Sequence, residues 1–234
     1  MNNSIIIHDL GLLEYEDALK YQLKLFDEII SNKIRNRRNK TKIQTKNHLV
    51  FVEHNSVYTL GKSGEINNLL INQKDLDNKK IKFYKTNRGG DITYHGPGQL
   101  VVYPILDLDY FFSDIHKYLR LLEEAVILTL NDYGIAGKRL DGFTGVWIDA
   151  DKDSPRKICA IGVKCSRWVT MHGIGFNINS NLDYFKYIVP CGIEDKSVTS
   201  LQKETNQEID MEELKLRFKK NFKILFGINL IEKK

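Results

Sequence analysis

The chain has 234 residues, of which 42% are hydrophobic and 28% charged, and its formal charge is +5 at pH 7. That is enough apolar material for one sheet-centred core, and no apolar run approaches the ~20 residues that cross a bilayer, so no membrane association is expected. No Pro/Ser-rich linker interrupts it, so 1–234 reads as a single domain.

Ile5–His8 reads as a short strand. Tyr15, Ala18, Leu19, Gln22, Leu23, Phe26, Ile29 and Ile30 then recur at three- and four-residue steps, predicting an amphipathic helix over about 14–31 whose stripe is core packing. The run 33–46, KIRNRRNKTKIQTK, carries much of the positive charge and is expected to be a solvated loop or a fraying helix end. Such a run can steer an acidic partner. Aromatics do not alternate with its basic residues, so the stacking platform of a single-strand binder is missing and no nucleic-acid partner is expected.

His48–Glu53 and Ser56–Leu60 read as strands, with Gly61 and Gly64 closing a loop; 65–80 is polar with a short apolar patch. Ile81–Thr86 and Leu100–Ile105 are strands that bracket the least ordinary stretch of the chain, Arg88 to Tyr103, RGGDITYHGPGQLVVY. Gly89 and Gly90 permit close backbone approach, and Gly96-Pro97-Gly98 forms a tight turn. Between them lies the trio Thr93, Tyr94 and His95. A hairpin needs one turn; two glycine clusters around a polar trio suit a sheet edge shaped around a ligand.

Ser113 is a candidate N-cap for a second helix with Ile115, Leu119, Leu122, Val126, Leu130 and Tyr133 inward and Gly134 as its stop. Gly145–Asp149, Ile158–Lys164 and His172–Asn179 form an antiparallel meander, with a polar turn over Asp151–Arg156. Asp210 and Glu213 read as a capping box for a last helix with Met211, Leu214, Phe218, Phe222 and Leu225 inward, ended by Gly227. The order of elements predicts an α+β fold: a mixed, largely antiparallel sheet layered with helices.

Cys159, Cys165 and Cys191 form no regular framework, which suggests reduced thiols and no structural metal. MNNSIIIHDLG lacks the basic start and long apolar core of a secretory signal, so a cytoplasmic protein is expected. Cys191 lies in Val189-Pro190-Cys191-Gly192; Pro190 fixes the turn and Gly192 leaves the thiol uncluttered, which makes it a nucleophile candidate. Most lone cysteines are instead buried and inert. A thiol with a pKa near ~8.5 needs a neighbouring base at neutral pH.

The motif R-G-G-x-x-T-Y-H-x-x-G-Q-x-V-x-Y, carried by Arg88, Gly89, Gly90, Thr93, Tyr94, His95, Gly98, Gln99, Val101 and Tyr103, resembles that of the octanoyltransferases of lipoate biosynthesis. The resemblance extends through EHNSVYTLG (53–61), KICAIGVKCSRWVTMHGIGFNIN (157–179) and PCGI (190–193). It implies the fold shared by biotin and lipoate ligases. It implies Cys191 as the acyl-thioester cysteine and Lys157 as its partner. Arg88, Gly89, Gly90, Asp91, Ile92, Thr93, Tyr94, His95, Ala160, Ile161, Gly162, His172, Gly173, Ile174 and Gly175 are the implied substrate-binding residues. His95 and His172 would position rather than act as base; Gly162, Gly173 and Gly175 would leave room for an acyl chain.

The implied donor is octanoyl-acyl carrier protein, and the implied acceptors are the lipoyl domains of 2-oxoacid dehydrogenase E2 subunits and the glycine cleavage H protein. No cofactor is required by that chemistry, and a monomer is expected. Two rivals stand beside it: an ATP-dependent lipoate or biotin ligase of the same fold, and a non-catalytic acyl- or nucleic-acid-binding module. Three departures stand out. Ala160 occupies a position where many relatives carry serine or another small residue. The basic run 33–46 looks like an addition, and 194–234 matches only loosely.

Overall fold

The computed structural model describes residues 4–189 and 197–232. The first strand, β1 (Ser4–Leu13), runs well past the expected His8 because its far end pairs with Glu53 and His54 after a bulge at Asp9/Leu12. Helix α1 (Tyr15–Asn39) likewise outruns its predicted end. Residues 33–39 of the basic run take the second of its two expected forms, a helix end, and 40–46 lie outside the helix. Lys33 reaches Asp107 and, at 2.7 Å, Asp109, so two carboxylates distant in sequence hold the last turns. Lys40 then adopts the left-handed conformation, and Asn36 ties the following loop back through Ile43.

β2 (Asn47–His54) joins the main sheet, whereas β3 (Val57–Leu60) leaves it for a second, three-stranded sheet. A short helix, α2 (Gln73–Asn78), capped by Asn72, leads to β4 (Lys82–Lys85), parallel to β3. Thr93, Tyr94 and His95 belong to β5 (Ile92–His95), antiparallel on the other side of β3. The trio is therefore itself a strand. The turn Gly96-Pro97-Gly98 returns the chain to the main sheet as β6 (Gln99–Ile105); Gly98 has φ +79°, and a Cβ there would lie 2.5 Å from the Asn179 carbonyl oxygen.

Helix α3 (Ile115–Asn131) is capped by Asp114, whose carboxylate accepts from the Lys117 amide at 2.9 Å; the expected Ser113 lies one residue too early. Gly134 (φ +73°) ends it as expected. Then come β7 (Gly137–Leu140), unforeseen in sequence, β8 (Phe143–Ile148), β9 (Arg156–Ser166) and β10 (Val169–Asn177), the last three being the expected meander. β11 (Ser197–Val198) is short, and α4 (Leu201–Thr205) leads to α5 (Met211–Phe226) and β12 (Asn229–Glu232). Asp210 caps α5 by accepting from the Glu212 and Glu213 amides, but Glu213 turns to Arg217 instead of completing a capping box.

Among the described residues the main sheet has nine strands in the order β12-β1-β2-β6-β10-β9-β8-β7, with β11 beside β9. Its β12–β1, β1–β2 and β11–β9 pairs are parallel and the others antiparallel, as predicted for a mixed, largely antiparallel sheet. α3 and α5 cover one face, around Leu122, Val126, Phe218 and Phe222. α1 covers part of the other through Ala18, Leu25, Phe26 and Ile29, which pack on Val101, Tyr103 and Met171. The small sheet has its own apolar cluster, including Tyr58, Ile92, Tyr94 and Phe185. The three bodies that border the site are thus the main sheet, the start of α1, and the small sheet. None of the described helices is long and apolar enough to cross a membrane.

Candidate active site

A cavity of ≈ 540 Å³ lies where these bodies meet. Of the sequence-predicted site residues, Arg88, Gly89, Gly90, Asp91, Ile92, Thr93, His95, Lys157, Ala160, Ile161, Gly162, His172, Gly173, Ile174 and Gly175 all line it. Tyr94 does not. Alternation along β5 turns it into the small-sheet core, stacked on Tyr184 with centroids 4.9 Å apart and hydrogen-bonded to Ser56 at 2.9 Å. Cys191 lies outside the described residues.

The glycine loop is clamped on two sides. Lys62 and Ser63 donate backbone bonds to the Arg88 and Gly90 carbonyls at 2.8 and 3.3 Å, while the Gly89 amide donates to Val163 of β9 at 2.9 Å. A Cβ at Gly162 would lie 2.7 Å from the Gly89 carbonyl oxygen, so glycine is what lets the loop rest on the strand. Asp91 is spent on structure: it accepts from the Ile92 amide and from Asn68, each at 2.6 Å.

Behind the loop runs a chain of buried hydrogen bonds with fixed polarity. Arg88 donates to the Thr59 carbonyl at 2.6 Å and to its hydroxyl at 2.9 Å. His95 Nε2, left as the acceptor by the bond from Nδ1 to Gln99, accepts from the Thr59 hydroxyl at 3.4 Å. Gln99 donates to the Tyr94 carbonyl and Asn177 Oδ1, so its own oxygen accepts from His95 Nδ1 at 2.7 Å. These bonds hold His95 as the neutral Nδ1–H tautomer. Burial, then His54, lowers its pKa to about 3, with Arg88 and His172 adding to the effect. His54 is buried beside it, its pKa brought to about 4 by desolvation; it donates to the Leu13 carbonyl and accepts from the Tyr103 hydroxyl at 2.8 Å.

His172 has φ +59°, rare for a non-glycine residue, and the following Gly173 meets the Val102 carbonyl so closely that no side chain fits. This distortion sits on the cavity wall, where strain often marks function. Burial, then Arg88, lowers the His172 pKa to about 3. Its backbone amide is held by Gln22 of α1 at 3.0 Å.

Lys157 defines the other end. Residues 157 and 160 would face opposite sides of a regular strand. A register shift between β8 and β9 at Val146/Trp147 opposes Trp147 to Lys157 and Val146 to Cys159, leaving Ile158 as the extra residue. Lys157 and Ala160 therefore line the same cavity. The lysine is 8% exposed, with Nζ 4.6 Å from the Trp147 ring centroid. Gly145 lets β8 approach β9 beside it: a Cβ there would lie 2.5 Å from the Cys159 carbonyl oxygen, though at an ordinary 3.7 Å from Lys157 Cε. Val198 pairs with Lys157 across β11–β9, and the Thr199 amide donates to the Lys157 carbonyl at 2.9 Å.

Sequence reading missed Tyr15, Gln99, Tyr103, Phe143, Asn177 and Val198 as cavity residues. Gln99 and Tyr103 stood inside the motif, which was their signal. Tyr15 reads as one more member of a helix stripe, and only tertiary packing brings it to the wall.

Residues 14–223 match the family described as the lipoyl protein ligase A/B catalytic domain. The chain belongs to this family. It is 56% identical to an octanoyltransferase of Christiangramia forsetii, over 98% of this chain and 99% of the relative. It is 55% identical to an octanoyltransferase of Flavobacterium psychrophilum, over 99% of this chain and 100% of the relative. Among solved structures, an archaeal bipartite lipoate protein ligase from Thermoplasma acidophilum superimposes with a TM-score of 0.70 at 16% identity, over 100% of this chain and 87% of that one. Lipoate-protein ligase A bound with ATP gives 0.70 at 16% identity, over 100% and 89%. At such identity these two show the lipoate-ligase fold alone. The cavity described above lies within the matched segment.

Proposed function

We propose that this chain transfers an octanoyl group to the target lysine of lipoyl domains, in lipoate biosynthesis. The observation that carries the reading is full-length identity above one half with two octanoyltransferases. The cavity supports it: one enclosed space holds a shielded lysine at one end and an uncluttered glycine-lined wall along β9 and β10.

The donor is octanoyl-acyl carrier protein and the nucleophile is Cys191. Lys157 takes the thiol proton while the sulfur attacks the thioester carbonyl. The tetrahedral adduct collapses, the carrier's thiolate leaves, and it takes the proton from Lys157. Then the acceptor lysine amine attacks the acyl-enzyme, an amide forms, and Cys191 is released. Thioester to thioester is nearly balanced and thioester to amide is downhill, so neither half requires a nucleotide. Ser197–Val198, five residues beyond Gly192, pairs with Arg156–Lys157, which supports a partnership between the Cys191 turn and the lysine. The acceptors are lipoyl domains of 2-oxoacid dehydrogenase E2 subunits and the glycine cleavage H protein, and the enzyme works as a cytoplasmic, single-domain monomer. Cations of 35–46 suit an acidic carrier protein by long-range attraction.

Intact-mass spectrometry after mixing with octanoyl-acyl carrier protein tests the reading. One octanoyl adduct is expected, released by hydroxylamine and absent in Cys191→Ser. Modification of a lipoyl domain only with ATP and free fatty acid, unaffected by Cys191→Ser, would instead identify a ligase.

A further inference from the structure

Glu123 of α3 is fully buried, and a carboxylate in that setting must have its charge and its lone pairs met. Its two oxygens have different partners. Oε2 accepts from Arg120 at 2.8 Å and from Arg139 Nε at 2.9 Å. Oε1 accepts from the Gly145 backbone amide at 3.0 Å. The arginines answer the charge, but they do not explain why the other oxygen meets a strand amide of β8.

The strand register explains it. β7 and β8 pair at Lys138–Trp147 and at Leu140–Phe143. Between those pairs β7 has one residue, Arg139, and β8 has three, Thr144, Gly145 and Val146. The ladder is broken there, and the carboxylate takes the place of the missing strand acceptor. On its other edge β8 shifts against β9 at Val146/Trp147, the irregularity that brings Lys157 to the cavity. Gly145 sits inside the broken segment with φ +121°. A Cβ on it would lie 2.5 Å from the Cys159 carbonyl oxygen and 3.7 Å from Lys157 Cε. The residue that Glu123 holds therefore lies against the lysine's own stem. Phe143 and Thr144, just before it, line the cavity with Lys157, and Trp147, just beyond, packs on the lysine amine.

Building on the octanoyl-transfer reading, we propose that Glu123 is a positioning residue for Lys157: by holding the Gly145 amide it fixes the broken segment of β8 against β9, and so fixes the lysine amine at its end of the cavity. Glu123 touches no reacting atom. Its oxygen, not its charge, serves the lysine; the charge is balanced by Arg120 and Arg139.

Two variants of the full chain separate the oxygen from the charge. Glu123→Gln keeps an oxygen with the same reach to Gly145 and gives up the ion pairs. Glu123→Asp keeps the charge and is one methylene too short. In octanoyl transfer to a lipoyl domain, Glu123→Asp is expected to lose roughly 10²-fold in kcat with KM nearly unchanged, the scale of an ångström-sized misplacement, while Glu123→Gln keeps most of its kcat. The reverse order, or an equal loss in the two folded variants, overturns the proposal. Trp147 gives a readout without turnover. The chain has two tryptophans, so Trp168→Phe leaves Trp147 alone, and Lys157→Met in that background supplies the emission shift of an indole without its amine. Glu123→Asp should show that shift and Glu123→Gln should not; unshifted emission in Glu123→Asp overturns the placement. Absence of octanoyl transfer by the wild type overturns the transfer reading alone, and the emission comparison then decides the placement. If either variant fails to fold, hydrogen exchange in the wild type decides: the Gly145 amide should exchange as slowly as the amides of β9, and exchange as fast as an open loop overturns the proposal.

Discussion

The two ends of the cavity are built by different means. The end at Arg88, His95 and Gln99 is a buried polar network in which each bond fixes the direction of the next. The end at Lys157 is made by backbone irregularity: a one-residue bulge, a glycine with φ +121° at residue 145, and a two-strand pairing from residue 197 onward. The first end specifies shape and is uncharged apart from the arginine. The second carries the amine proposed to take the thiol proton. On the proposed reading, rigidity and reactivity are separated along one cavity.

Substituting each end separately sharpens this contrast. Lys157→Met is expected to lower octanoyl-transfer kcat/KM by roughly 10²–10⁴-fold, the range for a general acid–base group, while circular dichroism shows a native fold. Arg88→Leu is expected to act on stability instead. It removes two charge-assisted bonds to Thr59 and leaves buried acceptors unmet, at a cost of about 3 kcal/mol by denaturant midpoint with an unchanged m value. If Arg88→Leu kept full stability and lost only activity, the contrast would fail.

The network should also be sensitive to acid. His54, His95 and His172 are lowered from 6.5 to about 4, 3 and 3 by burial. Below 6.5 the unfolded chain binds protons that the folded chain refuses. The stability they contribute is complete above pH 6.5 and is lost as pH falls toward those folded values. The slope is up to about 1.4 kcal/mol per pH unit for each histidine. Urea midpoints measured from pH 7 to 4 check it; His95→Gln should flatten the slope, and a flat wild-type profile would refute neutral burial.

Two smaller effects grade the walls. Gly162→Ala places a Cβ against the backbone of Gly89 and is expected to cost about 1–3 kcal/mol; Gly175→Ala meets the Gln99 and His95 side chains at 3.2 and 3.4 Å and should cost less. Tyr94→Phe loses only the Ser56 bond, so a change of about 1 kcal/mol and an unaltered kcat/KM are expected. A large kinetic defect would return Tyr94 to the site.

Much of this was legible in the sequence. Apolar stripes found α1, α3 and α5, alternation found the meander, and the RGG…TYH…GQ motif led to one wall of the cavity. What stayed hidden depends on partners far along the chain. α1 continues to Asn39 because Asp107 and Asp109 receive Lys33, 74 and 76 residues away. The facing of Lys157 depends on a bulge that no local residue announces. Tyr94 was placed in the site because the motif implies all three residues of the trio, whereas pairing with β3 makes the trio a strand whose alternate residues part company.

The most direct test is a crystal structure of the wild-type enzyme loaded by octanoyl-acyl carrier protein without acceptor. The account predicts an acyl chain joined to Cys191, its carbonyl beside Lys157, lying over Ala160 and Gly162. An acyl group attached elsewhere, or a chain that avoids this cavity, would contradict it.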